Sequence, residues 1–528
     1  MLRDARELEA GIVIECDLCV VGAGAAGITI ARALANTGIR LCLVESGGLE
    51  FEEHVQALFK GRNIGLPYFD LDICRLRMFG GTTNHWEGRC RPFDAIDFEE
   101  RDWVPHSGWP ITLADLGPFY RQAQGICQLG PFEYRGEDWL LEGETLVPFA
   151  PDKFESLVWQ YSPPTRFGEV YRAELERADN LDVLLHASVV EIDAGEALAE
   201  VQALRLSTLK GKRLVVRART YVLACGGPEN PRLLLASNRQ ARDGLGNGRG
   251  VVGRYFMEHP HIVAARALVA DPAFLAFYDY KLRTALRRGH AVLGCMHLCE
   301  QAQRAEGLLN YDASVTADNI GDSGYAALRR IWNSVERGEP PDDLVGDLKT
   351  ALFDIDDTFA GLLGRFGVRD YQLQAGSFRL WSYVEQAPNP ESRVFLDDAR
   401  DALGMPRIAL DWRLTELDRR SLLATLEILA EEFGRTGIGR IQIESWLQEV
   451  GGGWSDELSG GYHPMGTTRM ADDPKRGVVD RHCRVHGLAN LYVAGSSVFP
   501  TGGSANPTLT VVALALRLAE HLRAELSV

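Results

Sequence analysis

The stretch DLCVVGAGAAGITIARALANTGIRLCLVESGG, residues 17–48, decides the fold. It opens on a short apolar run that ends in Gly22. Small and apolar side chains then follow at helical spacing over 25–36, and a second apolar run, LCLVE, ends at Glu45. This order predicts strand, turn, helix, strand. Gly22, Gly24 and Gly27 stand at the G-x-G-x-x-G spacing that permits a tight turn, backbone approach to a pyrophosphate and close packing of helix on sheet. Ala25 and Ala26 keep the first helical turn small, where free N–H groups and the positive end of the helix dipole attract an anion. Glu45, with Ser46 after it, lies 23 positions beyond Gly22, where a carboxylate accepts hydrogen bonds from ribose hydroxyls. A dinucleotide site follows, but the unit alone does not separate NAD from FAD.

The other end of the chain carries a second such unit. NLYVAG, 490–495, reads as a strand, and SSVFPTGGSANP leads into a helix with Leu509, Val512, Ala513 and Leu516 on one stripe. Asn506 and Pro507 occupy N-cap and N1 positions, which aims a positive helix end at any ligand beside the sheet. GGYHPMGTTRM places His463 in a glycine-bracketed loop, 43 positions before Asn506.

Composition narrows the function classes. The 528 residues are 46% hydrophobic and 24% charged, the balance of an ordinary globular protein, and length alone suggests several structural units. A net charge of -17 repels a phosphate backbone, so nucleic acid is not an expected partner. No apolar run has membrane-spanning length, and MLRDARELEAG lacks the apolar core of a signal peptide, so membrane insertion is not expected and a cytoplasmic protein is. Ten scattered cysteines suggest free thiols in a reducing compartment. Cys16 and Cys19 form a C-x-x-C inside a predicted strand and are read as structural.

With these pieces in place, the chain resembles the glucose-methanol-choline (GMC) family of flavin oxidoreductases. The matching motifs are VVGAGAAG with ESGG, FGGTTNHWEG at 79–88, VLACGGPENPRLLLAS at 222–237, VVGRYFMEHP at 251–260, EQAPNPESRVFLD at 385–397, HPMGTTRM at 463–470 and NLYVAGSSVFPTGGSANPTLT at 490–510. Within the family they look most like bacterial glycoside dehydrogenases and pyranose oxidases. The resemblance implies an α/β fold: a Rossmann-like FAD-binding domain built from discontinuous segments, 1–53, 166–259 and 456–528, and an antiparallel-sheet substrate domain with helices over 260–455. The stretch 54–165 is expected to be an excursion that contacts the flavin.

The resemblance also implies residue roles. His463 takes the place of the active-site histidine, and Asn506 that of its histidine-or-asparagine partner. An imidazole can take the proton of an alcohol while its C–H hydride passes to the flavin, and an amide can hold the oxygen without titrating. Gly80, Gly81, Thr82, Asn84, His85 and Trp86 are expected along the flavin, with Val189, Cys225, Gly226, Gly495, Ser496, Pro507 and Thr508 as further FAD contacts. His85 stands where some relatives link histidine covalently to the flavin, and packing on the flavin edge is the alternative. The substrate implied is a sugar, glycoside or related alcohol. An acidic run at Asp342, Asp343, Asp347, Asp354, Asp356 and Asp357 suggests an aminosugar variant, though a solvated helical face explains it equally.

Other readings stay open at this point: a lyase that uses flavin as scaffold, a non-catalytic FAD carrier, and a nicotinamide enzyme. Tyr462 and Trp454 are read as sugar-stacking or as core. No metal site is expected: His259 and His261 flank Pro260 at a domain crossing and are read as structural, and His482 and His486 lie in a loop.

Overall fold

The computed structural model describes residues 1–282, 286–317 and 377–527, with isolated positions between 331 and 347. Asp342, Asp343, Asp354, Asp356 and Asp357 lie outside these residues, while Asp347 is described and buried.

Two eight-stranded sheets form the body of the chain. The first runs in the spatial order Leu2–Asp4, Leu181–Leu185, Leu41–Val44, Val13–Val21 and Arg213–Leu223, all parallel, with Leu491–Val493 parallel to the last of these. Ala203–Ser207 and Ser188–Asp193 continue it antiparallel. Leu41–Val44 is buried at each position, the continuous apolar pattern of a strand covered on both faces. Helix α1 (Ala25–Ala33) follows the glycine turn, as the spacing predicts.

The second sheet is antiparallel: Gly439–Ile443, His261–Val269, Ser377–Val384, Tyr311–Ala317, His290–Leu298, Phe154–Tyr161 and Arg89–Cys90. Its strands alternate. One face sends Val158, Met296, Val315, Leu380 and Ile262 into an apolar core shared with helix α2 (Glu416–Thr436) through Leu422, Leu426, Leu429 and Phe433. Helix α2 starts on a capping box between Thr415 and Asp418 and stops at Gly437. The opposite face carries Arg89, Trp159, Tyr161, Tyr383 and His261. Arg89 pairs with Tyr161, and His261 with Tyr383, across neighbouring strands. Two strands of the 54–165 stretch thus build this sheet, which its reading as a flavin excursion does not anticipate.

Helix α3 (Thr508–Leu526) packs on α1. The stripe of Leu509, Val512, Ala513 and Leu516 is buried, and so are Thr510, Leu514 and Ala515, so the helix is enclosed over more than one face. All ten cysteines are unpaired. Among the described residues no helix is long and apolar enough to cross a membrane.

Candidate active site

A continuous cavity runs from the Gly22 turn to His463. Gly22, Gly24, Ala25, Ala26, Glu45 and Ser46 line one end; Ser496, Pro507 and Thr508 line it with His463 and Pro464. The N-termini of α1 and α3 therefore both border one space, two positive helix ends suited to an anionic ligand. A Cβ at Gly27 would sit 1.9 Å from the Gly22 carbonyl oxygen, whereas one at Gly24 would meet nothing within 4 Å. Gly27 is required for packing, and Gly24 for open space. Glu45 accepts the Ala23 N–H at Oε2 (2.9 Å) and the Gly47 N–H at Oε1 (2.8 Å). One donor per oxygen fixes the carboxylate and leaves lone pairs for hydroxyls.

Gly81, Thr82, Trp86, Val189, Cys225, Gly226 and Gly495 also line the cavity. Gly27, Gly80, Asn84, His85 and Asn506 do not. Asn84 instead donates to the Phe79 carbonyl (2.9 Å), and His85 is exposed. Three arginines, Arg75 and Arg232 buried and Arg77 partly so, were not legible as site residues. Arg75, Arg77 and Arg232 surround Glu229 at 3.0 to 3.1 Å, and Arg232 also pairs with Asp401 at 2.6 Å. All five border the cavity, three cations against two carboxylates. Arg77 keeps its Nε buried and unpartnered, and burial lowers its pKa. Glu229 and Arg232 lie within the quoted 222–237 motif, but nothing in the sequence joins them to Arg75, Arg77 and Asp401, which come from two other chain segments.

At the other end, the segment 257–261 pairs with the loop before and after His463. Met257 bridges Met465, and His261 bridges Ser459. Between these bridges, the Glu258 carboxylate accepts the backbone N–H groups of His259 (3.1 Å), Gly461 (3.1 Å) and His463 (2.9 Å), and the Tyr68 hydroxyl. Burial pushes Glu258 up to about 7 against these donors. His463 Nδ1 lies 3.0 Å from His259 Nδ1, its Nε2 lies 3.1 Å from Asn506 Nδ2, and His259 Nε2 lies 3.1 Å from the Gly502 carbonyl oxygen. The His261 ring is 6.2 Å from that of His463. Burial, then His259, His261 and Arg89, hold His463 well below the ordinary imidazole range, so it is a neutral base.

Beside His463 lies the polar face of the second sheet. Arg89 is 5% exposed, its guanidinium 4.8 Å from the Trp159 ring and 4.2 Å from that of Tyr383. Its Nε and Nη1, with Trp159 Nε1, Tyr161 Oη and His261 Nε2, are buried without hydrogen-bond partners. A concentration of unmet donors beside a half-buried base marks a surface built for something other than stability.

Two comparisons bear on this site. Residues 388–515 match the family description "GMC oxidoreductase". Over 96% of its length the chain is 28% identical to 92% of 6'''-hydroxyparomomycin C oxidase from Streptomyces lividus. The chain carries a GMC oxidoreductase C-terminal domain. It is also 24% identical to paromamine 6'-oxidase from Streptomyces fradiae, over 97% of this chain and 92% of that one. In fold it resembles a fungal aryl-alcohol oxidase, with a TM-score of 0.57 at 15% identity, covering 98% of this chain and 100% of the other.

The GMC oxidoreductase match indicates FAD, and the cavity fits it: an acidic end for ribose, glycine-opened space between two helix N-termini, and a neutral histidine at the far end. Two expectations are corrected. Asn506 does not cap α3, which takes Pro507 as N-cap without a side-chain cap; the amide reaches His463 instead. His259 and His261 are not incidental to a domain crossing but stand against His463. Their signal was the VVGRYFMEHP motif itself, whose partner loop lies some two hundred residues away. Of the two aromatics, Trp454 packs with Trp446 against the second core, while Tyr462 borders the cavity and stacks on Phe69 at 4.0 Å. Among the described residues no group of three or more His, Cys, Asp or Glu side chains is arranged to hold a metal ion.

Proposed function

We propose that this GMC oxidoreductase oxidises a hydroxyl of a neutral sugar or glycoside to a carbonyl, with His463 as general base and Asn506 as the group that holds the substrate oxygen. The observation that carries the reading is the neutral, half-buried His463, which lines the end of the cavity and whose Nε2 meets Asn506. FAD, held along the Gly22 turn, Glu45 and the two helix N-termini, would supply the two-electron oxidation of the carbinol carbon. The hydroxyl enters between the two side chains, accepts the amide N–H that Asn506 otherwise gives His463, and donates its proton to Nε2. His463 holds that proton as the carbon–hydrogen bond breaks. The polar face of Arg89, Trp159, Tyr161 and Tyr383 orients the rest of the substrate, its rings stacking on sugar and its donors meeting hydroxyls.

Arg89 favours a neutral sugar over an ammonium-bearing one, because a buried guanidinium repels a second cation. The relatives named for paromomycin-type substrates supply the competing reading, an aminoglycoside hydroxyl. Anaerobic titration with simple glycosides and with aminoglycosides, followed as loss of the oxidised-flavin band, separates the two. His463→Ala is expected to keep FAD and to slow that bleaching by at least about 10²-fold. An unchanged rate would remove His463 as the base, and turnover without bleaching would favour a lyase.

We further propose that FAD is held without a covalent bond. Trp86 lines the cavity and donates to the Thr165 carbonyl (2.9 Å), whereas His85 is exposed. Acid precipitation should leave the yellow chromophore in the supernatant; colour retained in the pellet would assign the His85 link. The discontinuous division into flavin domain 1–53, 166–259 and 456–528 and substrate domain 260–455 is proposed with the two 54–165 strands added to the latter. Ten unpaired cysteines support a cytoplasmic location.

A further inference from the structure

His259 is 1% exposed, and its two ring nitrogens each face a partner that constrains where protons sit. The Gly502 carbonyl, 3.1 Å from Nε2, can only accept, so His259 carries its hydrogen there. A neutral imidazole has one N–H, and His259 Nδ1 is therefore a lone pair. The 3.0 Å contact between the two Nδ1 atoms then requires the hydrogen to be on His463. His463 Nε2 is left bare, and Asn506 Nδ2, a donor 3.1 Å away, faces it with the right polarity. The rival assignment turns the Asn506 amide over and protonates His259 at both nitrogens. It places a full charge on a buried ring, and burial pushes His259 down to about 4.

We propose that His259 is a positioning residue of this site: it accepts the Nδ1–H of His463, fixes the tautomer whose Nε2 lone pair faces Asn506 and the substrate hydroxyl, and steadies the imidazolium formed when that proton arrives. The inference rests on His463 as base. The sole atom transferred is the hydroxyl proton, which moves to His463 Nε2. At Nδ1 the existing bond becomes charge-assisted and so strengthens as the charge develops. His259 also ties the two active-site loops together. Its backbone N–H goes to Glu258, which anchors the His463 loop, and its side chain holds Gly502, four residues before Asn506.

The groups facing His463 that can titrate or carry charge are His259, His261, Arg89 and, behind its backbone, Glu258. The test compares two variants of the FAD-loaded enzyme. His259→Asn keeps an acceptor oxygen near the place of Nδ1, and His259→Leu keeps bulk without one. Two readouts apply: the pH profile of flavin bleaching, and histidine-selective ¹⁵N NMR, with the His463 signal identified by its loss in His463→Gln. The expected wild-type signal is that of a neutral ring protonated at Nδ1. It should persist in His259→Asn and be lost in His259→Leu, whose bleaching rate falls about 10- to 100-fold while the amide variant retains most of it.

A wild-type His463 protonated at Nε2 overturns the proposal, as does a leucine variant with unchanged rate, pH profile and tautomer. If the leucine variant fails to bind FAD, the wild-type and asparagine spectra still decide. If His463→Ala bleaches at the wild-type rate, the base assignment fails, while the spectra separately judge the tautomer.

Discussion

The dinucleotide cavity and the polar sheet face beside its His463 end are built by opposite rules. The dinucleotide wall comes from short continuous motifs in which backbone does the binding: glycines, two helix N-termini and one carboxylate. The proposed substrate wall, the polar face beside His463, comes from side chains of strands far apart in sequence, Arg89, Trp159, His261 and Tyr383, brought together by sheet register. Backbone recognition leaves a signature in residue type and spacing. Side-chain recognition on a sheet face leaves alternation, which any half-buried strand shares.

The dinucleotide wall is the easier to break. Gly27→Ala drives a Cβ to 1.9 Å from the Gly22 carbonyl oxygen, and two backbone segments cannot part without opening the turn. We expect loss of the folded, FAD-binding state, seen as colourless protein with a collapsed thermal transition. Gly24→Ala meets no protein atom within 4 Å and should fold normally yet bind FAD more weakly, the methyl entering the space the cofactor needs. Equal behaviour of the two variants would show that the glycine spacing serves packing alone.

The substrate wall should respond in the reverse sense. A buried, unpaired guanidinium costs stability, and a hydrophobic replacement of similar length is often neutral or stabilising. Arg89→Met is therefore expected to leave the melting temperature unchanged or raised while kcat/KM falls by about tenfold or more, the trade expected of a functional residue. A large fall in melting temperature with kinetics intact would make Arg89 a structural clamp between Trp159 and Tyr383.

The same contrast explains what was legible before the structure. The nucleotide fold and Glu45 could be read from a motif whose chemistry is local, whereas His463 and Asn506 were named through the family resemblance, since alone they read as a loop histidine and a helix cap. The roles of His259 and His261 could not be derived, since nothing in a single chain says that residues 257–261 pair with 459–465. Asn506 shows the limit from the other side. Asn before Pro at a helix start reads as a cap, but Pro507 takes the N-cap place and the Asn506 amide reaches His463 instead. The Arg75, Arg77, Arg232 and Glu229 cluster was equally silent as a cluster, because Glu229 and Arg232 on a helix and Arg75 and Arg77 in a loop carry no joint pattern until folding gathers them.

The histidine cluster offers a finer test, in which stability rather than turnover reports the wall. His259, His261 and His463 are all held below the ordinary imidazole value by burial. An unfolded chain binds protons at these histidines first, from about pH 6.5 downward, so their contribution to stability is complete above that value and is lost as the pH falls towards the folded values, about 4 for His259. For His259 alone the loss is roughly 2 kcal/mol by about pH 5. Glu258, pushed up to about 7, works the other way, losing its contribution as the pH rises from the ordinary carboxyl range through that value. Comparing wild type with His259→Asn cancels this term, since both keep the carboxyl and its donors. The wild type should lose a few degrees more of melting temperature than the variant between neutral and mildly acid conditions, and parallel curves would show that His259 is already charged in the folded site.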